Sequence, residues 1–169
     1  GIDVVVLPVD GLGRVSIADL RAALDERPGG SDSADGTFLV SIMAANNEVG
    51  SIQPVAAIGR LCKERGVLFH CDAAQAIGRM PVDVESWGAD LLALSGHKFG
   101  APQGVGALHV RARAPRVRLR PLMHGGGQEG GLRPGTLNVP GAVALGAAAD
   151  CVVADLASLL GHLDPGGQA

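Results

Sequence analysis

Leu91-Leu92-Ala93-Leu94-Ser95-Gly96-His97-Lys98 is an apolar run that stops abruptly on small and polar residues and a lysine. A run of that length, closed by a glycine, reads as a buried strand of a parallel sheet. Lysine is rare in this chain; only Lys63 and Lys98 occur. Lys63 lies in Lys63-Glu64-Arg65 and reads as part of a solvated helix face. Lys98 sits at a strand's carboxyl end, where reduced solvation favours the neutral amine, the form that attacks a carbonyl to give a Schiff base. The plainer alternative is a lysine that merely closes a strand.

Outward from this stretch, strands and helices alternate. Val4 to Leu7 reads as a short buried strand, and Asp10-Gly11-Leu12-Gly13 as a turn. Ser16, with Asp19 three residues on, opens a helix whose apolar stripe is Ile17, Leu20, Ala23 and Leu24. Residues 29–36 are a polar, low-complexity stretch expected to be a mobile loop. Thr37 to Met43 is continuously apolar enough for a parallel strand covered on both faces. Pro54 to Arg65 reads as a helix stopped by Gly66. Val67 to Cys71, Val105 to Val110 and Val117 to Leu122 read as strands. Pro140 to Leu160 reads as one long helix, with Gly146 the place for any break. The pattern is α/β. In such sheets ligands bind beyond the carboxyl ends of strands, and Asn46-Asn47, Asp72 and Ser95 to Lys98 all fall at such ends.

Composition narrows the classes. Of 169 residues 47% are hydrophobic and 18% charged, the balance of a soluble globular domain long enough for one core. Aromatics are 2%, without a tyrosine, so the core is expected to be aliphatic. The net charge of −3 gives no basic field for nucleic acid. Arg111 to Arg120 alternates with apolar residues and reads as a strand with a charged face, suited to solvent or a partner. Cys62, Cys71 and Cys151 show neither a disulfide framework nor zinc-ligand spacing; each reads as a packing cysteine. The uninterrupted apolar runs fall far short of a membrane span, and no leader opens the chain. A cytoplasmic setting without membrane contact is the expectation.

The polar strand ends match what pyridoxal phosphate requires. Its aldehyde needs an amine, available at Lys98. Its pyridine nitrogen stays protonated against a carboxylate, and Asp72 in Phe69-His70-Cys71-Asp72-Ala73-Ala74-Gln75 is the candidate. The bland alternative for Asp72 is an aspartate capping the next turn. Gln75 offers an amide to the phenolic oxygen. The phosphate needs hydroxyls and backbone N–H groups; Ser95, Gly96 and His97 fit, with Gly125-Gly126-Gly127 and Gly135-Thr136 as further candidates.

Asn46-Asn47-Glu48-Val49-Gly50, His70 to Gln75, Ser95-Gly96-His97-Lys98-Phe99, and His124-Gly125-Gly126-Gly127-Gln128-Glu129 leading to Arg133-Pro134-Gly135-Thr136 stand in an order and spacing that resemble the cysteine desulfurases. These are class V aminotransferase-type enzymes of pyridoxal-phosphate fold type I. The resemblance implies a mostly parallel sheet with flanking helices, residues 1–160 being part of the large cofactor-binding domain and 161–169 a disordered, non-helical tail. It implies removal of sulfur from L-cysteine to give L-alanine and an enzyme persulfide for a sulfur-acceptor protein, in iron–sulfur cluster or tRNA-thiolation pathways. Lys98 is implied as the Schiff-base lysine and proton carrier, Asp72 as the partner of the pyridine nitrogen, and Gln75 as that of the phenolic oxygen. Asn47 is implied to contact the cofactor or the substrate carboxylate, and Ser95, Gly96 and His97 the phosphate. Thr136 is implied to reach the phosphate of a neighbouring subunit, hence a homodimer, with Arg133 and the 125–127 loop shaping that edge.

By the same resemblance the persulfide-forming cysteine and the substrate-carboxylate arginine fall beyond Ala169, and a cofactor-stacking histidine before Gly1. Two positions depart from the family pattern: Ala101, where glycine usually precedes the proline, and Gly130, where an arginine usually follows Gln-Glu. The enzymatic alternatives under the same resemblance are a selenocysteine lyase or another class V aminotransferase-type enzyme. The non-enzymatic alternative is a chain that only binds the cofactor or dimerises.

Overall fold

The computed structural model describes residues 2–28, 36–112 and 116–163. The first helix, α1 (Ile17–Glu26), begins as its sequence predicts. Extended Ser16 accepts the N–H groups of Ala18 and Asp19 at 3.2 and 3.3 Å, satisfying two donors that lack an intrahelical partner. Its stripe buries Leu20 and Leu24.

Three strands, β1 (Leu39–Met43), β2 (Leu68–Asp72) and β3 (Leu91–Ser95), run parallel; β4 (Gly106–Val110) lies antiparallel beside β3, in the order β1-β2-β3-β4. The crossovers are α2 (Val55–Glu64) and a four-residue α3 (Val84–Trp87). Strand alternation puts Val40, Phe69, Cys71 and Leu92 on one face, where they form the core with Leu20 and Leu24 of α1, Ile58, Leu61 and Cys62 of α2, and Trp87. Gly59 makes the closest helix contact: a Cβ there would lie 1.9 Å from the Trp87 carbonyl oxygen. Asp90, 4% exposed, clips the start of β3 to its neighbours. Its carboxylate accepts the Phe69 N–H at 2.8 Å and pairs with the Arg111 guanidinium, while the Arg111 N–H donates to the Asp90 carbonyl at 2.8 Å.

Several expectations are corrected. Val4 to Leu7 forms no strand: Val4 and Val6 are 79% and 85% exposed, and the one pairing nearby is an isolated bridge between Val9 and Val15. A strand needs a neighbour for its backbone groups, and among the described residues none flanks this segment. β1 is parallel but not covered on both faces. It is the edge strand, the helices pack on one side, and Ser41 and Met43 stay exposed. Residues 116–122 are irregular, so the predicted charged strand face is not made; Val117 is nonetheless buried between exposed Arg116 and Arg118. Pro121 offers no ladder donor there. The part of that run at 113–115, like most of the 29–36 loop, lies outside the described residues.

The last helix, α4 (Val139–Leu163), continues through Gly146 without interruption and takes in 161–163, where the sequence predicts a non-helical tail; 164–169 are outside the described residues. Cys151 on this helix is exposed rather than packed. The window Val139–Leu156, of mean hydropathy 1.6, is long and apolar enough to cross a membrane by length and composition, which revises the reading that no segment is. Leu145 and Val152 of this helix nevertheless lie against the backbones of Gly96 and Gly78, so α4 is seated on the domain at two points.

Candidate functional site

Parallel register brings the carboxyl ends of the strands together. Met43 stands opposite Asp72, and Asp72 opposite Ala93. Backbone bonds extend the alignment past the strands: Ala44 N–H donates to the Asp72 carbonyl at 2.8 Å and Ala73 N–H to the Ala93 carbonyl at 2.9 Å. Just beyond lies a cleft of ≈ 260 Å³, lined by Met43, Ala45, Asn47, Asp72, Ala74, Gln75 and Lys98. Of the predicted site residues, Asn47, Asp72, Gln75 and Lys98 therefore meet in one place.

Lys98 ends a 3-10 turn, Gly96–Lys98, directly after β3 and is half-buried. The turn is held by the Gly96 N–H on the Val105 carbonyl at 2.9 Å, and by Phe99 and Ala101 N–H groups returning to the Gly96 carbonyl. The left-handed backbone needed here falls on Gly100 (φ 99°), not on Ala101, so the departure at 101 is accommodated. Asp72 uses Oδ1 to accept the Ala74 N–H at 2.9 Å, as the turn-capping reading anticipates. Its side chain is still exposed to the cleft, so capping and ligand contact are compatible. Asn46 turns inward, its Oδ1 accepting from Glu48 and Val49 N–H groups at 2.9 and 3.0 Å, which leaves Asn47 as the asparagine of the cleft.

Ser95 and His97 pair with each other, Oγ to Nδ1 at 2.9 Å, beside the lysine. Thr136 is exposed on a separate loop and does not line the cleft. That loop is tied by Gly135 N–H on Gln128 Oε1 at 3.2 Å and by the Arg133 guanidinium on the Gly135 carbonyl at 2.9 Å. Motif reading passed over Met43, Ala45 and Ala74, which shape the cleft walls; the register of β1 against β2 was the signal for Met43. It also left His70 without a role: its Nδ1 lies 2.8 Å from Ser41 Oγ, two register positions behind the Met43–Asp72 pair and on the same face.

A second cleft of ≈ 400 Å³, between residues 11–14 and 49–51, is larger but offers little chemistry. Its one charged group, Arg14, is paired with Asp10 at 3.1 Å. Among the described residues no cluster of His, Cys, Asp and Glu is suited to a metal. Burial pushes the Cys62 and Cys71 thiols up to about 12, with the charges of Asp90 and Asp72 respectively adding to it.

An amine, a carboxylate and two carboxamides around one cleft correspond to the aldehyde, ring nitrogen and oxygen substituents of pyridoxal phosphate, so the donor set fits that cofactor. Comparison with known proteins agrees. The sequence profile of the Aminotransferase class-V family matches residues 1–159. The mitochondrial cysteine desulfurase of Arthroderma benhamiae is 53% identical over 148 residues, 88% of this chain and 27% of that protein. A solved NifS-like protein superposes with a TM-score of 0.80 at 42% identity, over 98% of this chain and 42% of that one. SspA in complex with cysteine superposes with a TM-score of 0.75 at 39% identity, over 89% of this chain and 40% of that one. The chain thus spans about a quarter to two fifths of the length of these relatives.

Proposed function

The chain belongs to the class-V aminotransferase family, and on that premise we propose that it carries the pyridoxal-phosphate cleft of a cysteine desulfurase. The observation that supports this best is the meeting of Asn47, Asp72, Gln75 and Lys98 in one cleft at the ends of parallel strands. The bound cofactor would supply an aldehyde for the substrate amine and a protonated ring that withdraws electrons from the α-carbon.

The chain's residues divide the remaining work. Asp72 holds the proton on the ring nitrogen, its position set by the Ala74 bond. Gln75 donates to the phenolic oxygen, and Asn47 orients the cofactor or the substrate carboxylate. Lys98 would anchor the cofactor through its amine and would take and return the proton at the substrate α-carbon. Ser95 and His97, paired with each other beside the lysine, would hold the phosphate, with Gly96 keeping the turn between them close to it through its bond to the Val105 carbonyl. The substrate is L-cysteine, in keeping with the cysteine bound to SspA. Its C–S bond breaks, the sulfur passes to an attacking thiolate as a persulfide for a sulfur-acceptor protein, and alanine leaves. Cys62 and Cys71 are unsuited to that attack, being buried and held protonated. The exposed Thr136 loop serves the phosphate of a second copy, making the working unit a homodimer. A reducing, cytoplasmic compartment suits three cysteines that are all free.

The test is the visible spectrum of the chain with pyridoxal phosphate, before and after borohydride, with mapping of the labelled peptide. A reducible band at Lys98, lost in Lys98→Ala and kept in Lys63→Ala, is the expected result. No band, or a label on Lys63, overturns the reading.

A further inference from the structure

Gln53 is 5% exposed and, with Asp90, one of two buried polar side chains among the described residues. It lies outside the cleft, yet both ends of its carboxamide are committed to a distant segment. Oε1 accepts the Val15 N–H at 2.9 Å and Nε2 donates to the Gly13 carbonyl at 2.8 Å. Its own N–H donates to the Ala44 carbonyl at 2.9 Å, at the base of the hairpin that carries Asn47. That hairpin is closed by an Ala45–Ile52 bridge and by Asn46 N–H on the Ser51 carbonyl at 2.9 Å. The same hairpin makes a second contact with the 10–15 turn, where the Ser51 hydroxyl donates to the Leu12 carbonyl. The turn is stiff in its own right, since Asp10 Oδ1 accepts the Leu12 and Arg14 N–H groups, each at 2.9 Å.

The hairpin therefore leans on the 10–15 turn from one side and presents Asn47 to the cleft from the other. We infer that Gln53 is a positioning residue for Asn47: its buried carboxamide fixes the hairpin against the 10–15 turn and so sets where the Asn47 amide stands. The inference rests on the cofactor reading above. No other side chain substitutes easily, because the site offers one buried donor and one buried acceptor, and leaving either unpaired is costly. Glutamate keeps the acceptor for Val15 but turns a carboxylate oxygen toward the Gly13 carbonyl. Methionine keeps the length and loses both bonds.

The experiment is a double-mutant cycle on cofactor affinity, read from the visible absorbance of the wild type, Gln53→Met, Asn47→Ala and the double variant, at cofactor concentrations up to millimolar. Gln53→Met is expected to weaken binding about tenfold in the wild-type background, the scale of a lost buried bond. In the Asn47→Ala background it should change binding little, because the two residues act as a unit. Equal losses in both backgrounds, or no loss in the first, overturn the inference while leaving the cofactor reading intact. A wild-type chain that takes no cofactor overturns both. Backbone hydrogen exchange gives a readout free of cofactor: Val15, Asn46 and Gly50 N–H groups should exchange faster in Gln53→Met, and Phe69 N–H should not. If Gln53→Met loses the buried signature of Trp87 fluorescence, the same cycle is run with Gln53→Glu, and additive losses there overturn the inference.

Discussion

Cys62 and Cys71 have their chemistry altered most by the fold. An unperturbed thiol titrates near 9.0, whereas burial carries both of these to about 12. The thiolate is the reactive form, so at pH 8 an alkylating reagent should label Cys151, which is exposed, and reach Cys62 and Cys71 only after denaturation. Peptide mapping checks this; early labelling of Cys71 would contradict it. The same shifts have a consequence for stability. Above pH 9 the unfolded chain releases both protons while the folded chain keeps them, so stability falls as pH rises from 9 toward 12 and is unaffected below 9 by these groups. The urea midpoint should drop between pH 8.5 and pH 10.5, and replacing both cysteines by alanine should flatten that dependence. Sequence reading placed Cys62 and Cys71 correctly as packing residues. It misplaced Cys151 because an apolar helix was assumed to be a covered one.

At the scale of elements, contact decides where composition is silent. Gly59 and Gly146 both sit within helices, but a Cβ on Gly59 would collide with the Trp87 carbonyl, while a Cβ on Gly146 meets nothing within 4 Å. Gly59→Ala should cost about 1–3 kcal/mol by pushing α2 from α3. Gly146→Ala should leave the core unchanged and gain about 0.5–1 kcal/mol for α4 through helix propensity. In thermal melts Gly59→Ala should lower the core transition read by Trp87 fluorescence, and Gly146→Ala should raise the α4 transition read by far-UV dichroism and leave the Trp87 signal in place. The strands show the same division. β1, β2 and β3 were legible because their apolar runs end on glycine or polar residues and lie a helix apart. Val4 to Leu7 has the same composition and fails, since a strand is a property of a pair and no partner stands beside it among the described residues. Residues 116–122 alternate correctly and also fail, lacking a ladder. α3 is too short to show a period, and only its Asp83 cap, which accepts the Glu85 N–H at 3.0 Å, marks it.

For the whole molecule, the site was more legible than its support. Asp72, Gln75 and Lys98 stand out because chemistry restricts which residues can stand at a strand end, and Asn47 through the family resemblance; the parallel register gathers all four around one cleft. Gln53, whose amide props the Asn47 hairpin, was invisible in sequence because nothing in a lone glutamine announces burial. α4 stands apart in another way. The core that encloses Trp87, 7% exposed, is built by α1, α2, α3 and β1 to β3. Along α4 only Gly141 is buried among the described positions; Ala144, Leu145, Ala148, Ala149, Val152 and Leu156 form a half-buried stripe, and the rest are exposed, Val143 and Val153 each 68%. Most helical stability in a protein comes from packing of a buried face, and this helix has its propensity with little of that packing. The chain should therefore not unfold as one unit. Far-UV dichroism should lose the signal of α4 at lower urea than the concentration at which Trp87 fluorescence reports loss of the core. Coincident transitions would mean that α4 draws more stability from its seats at Gly78 and Gly96 than its exposure implies. In that event, Gly96→Ala, whose Cβ would meet both Leu145 and the Val105 carbonyl oxygen at 2.9 Å, should shift both probes together.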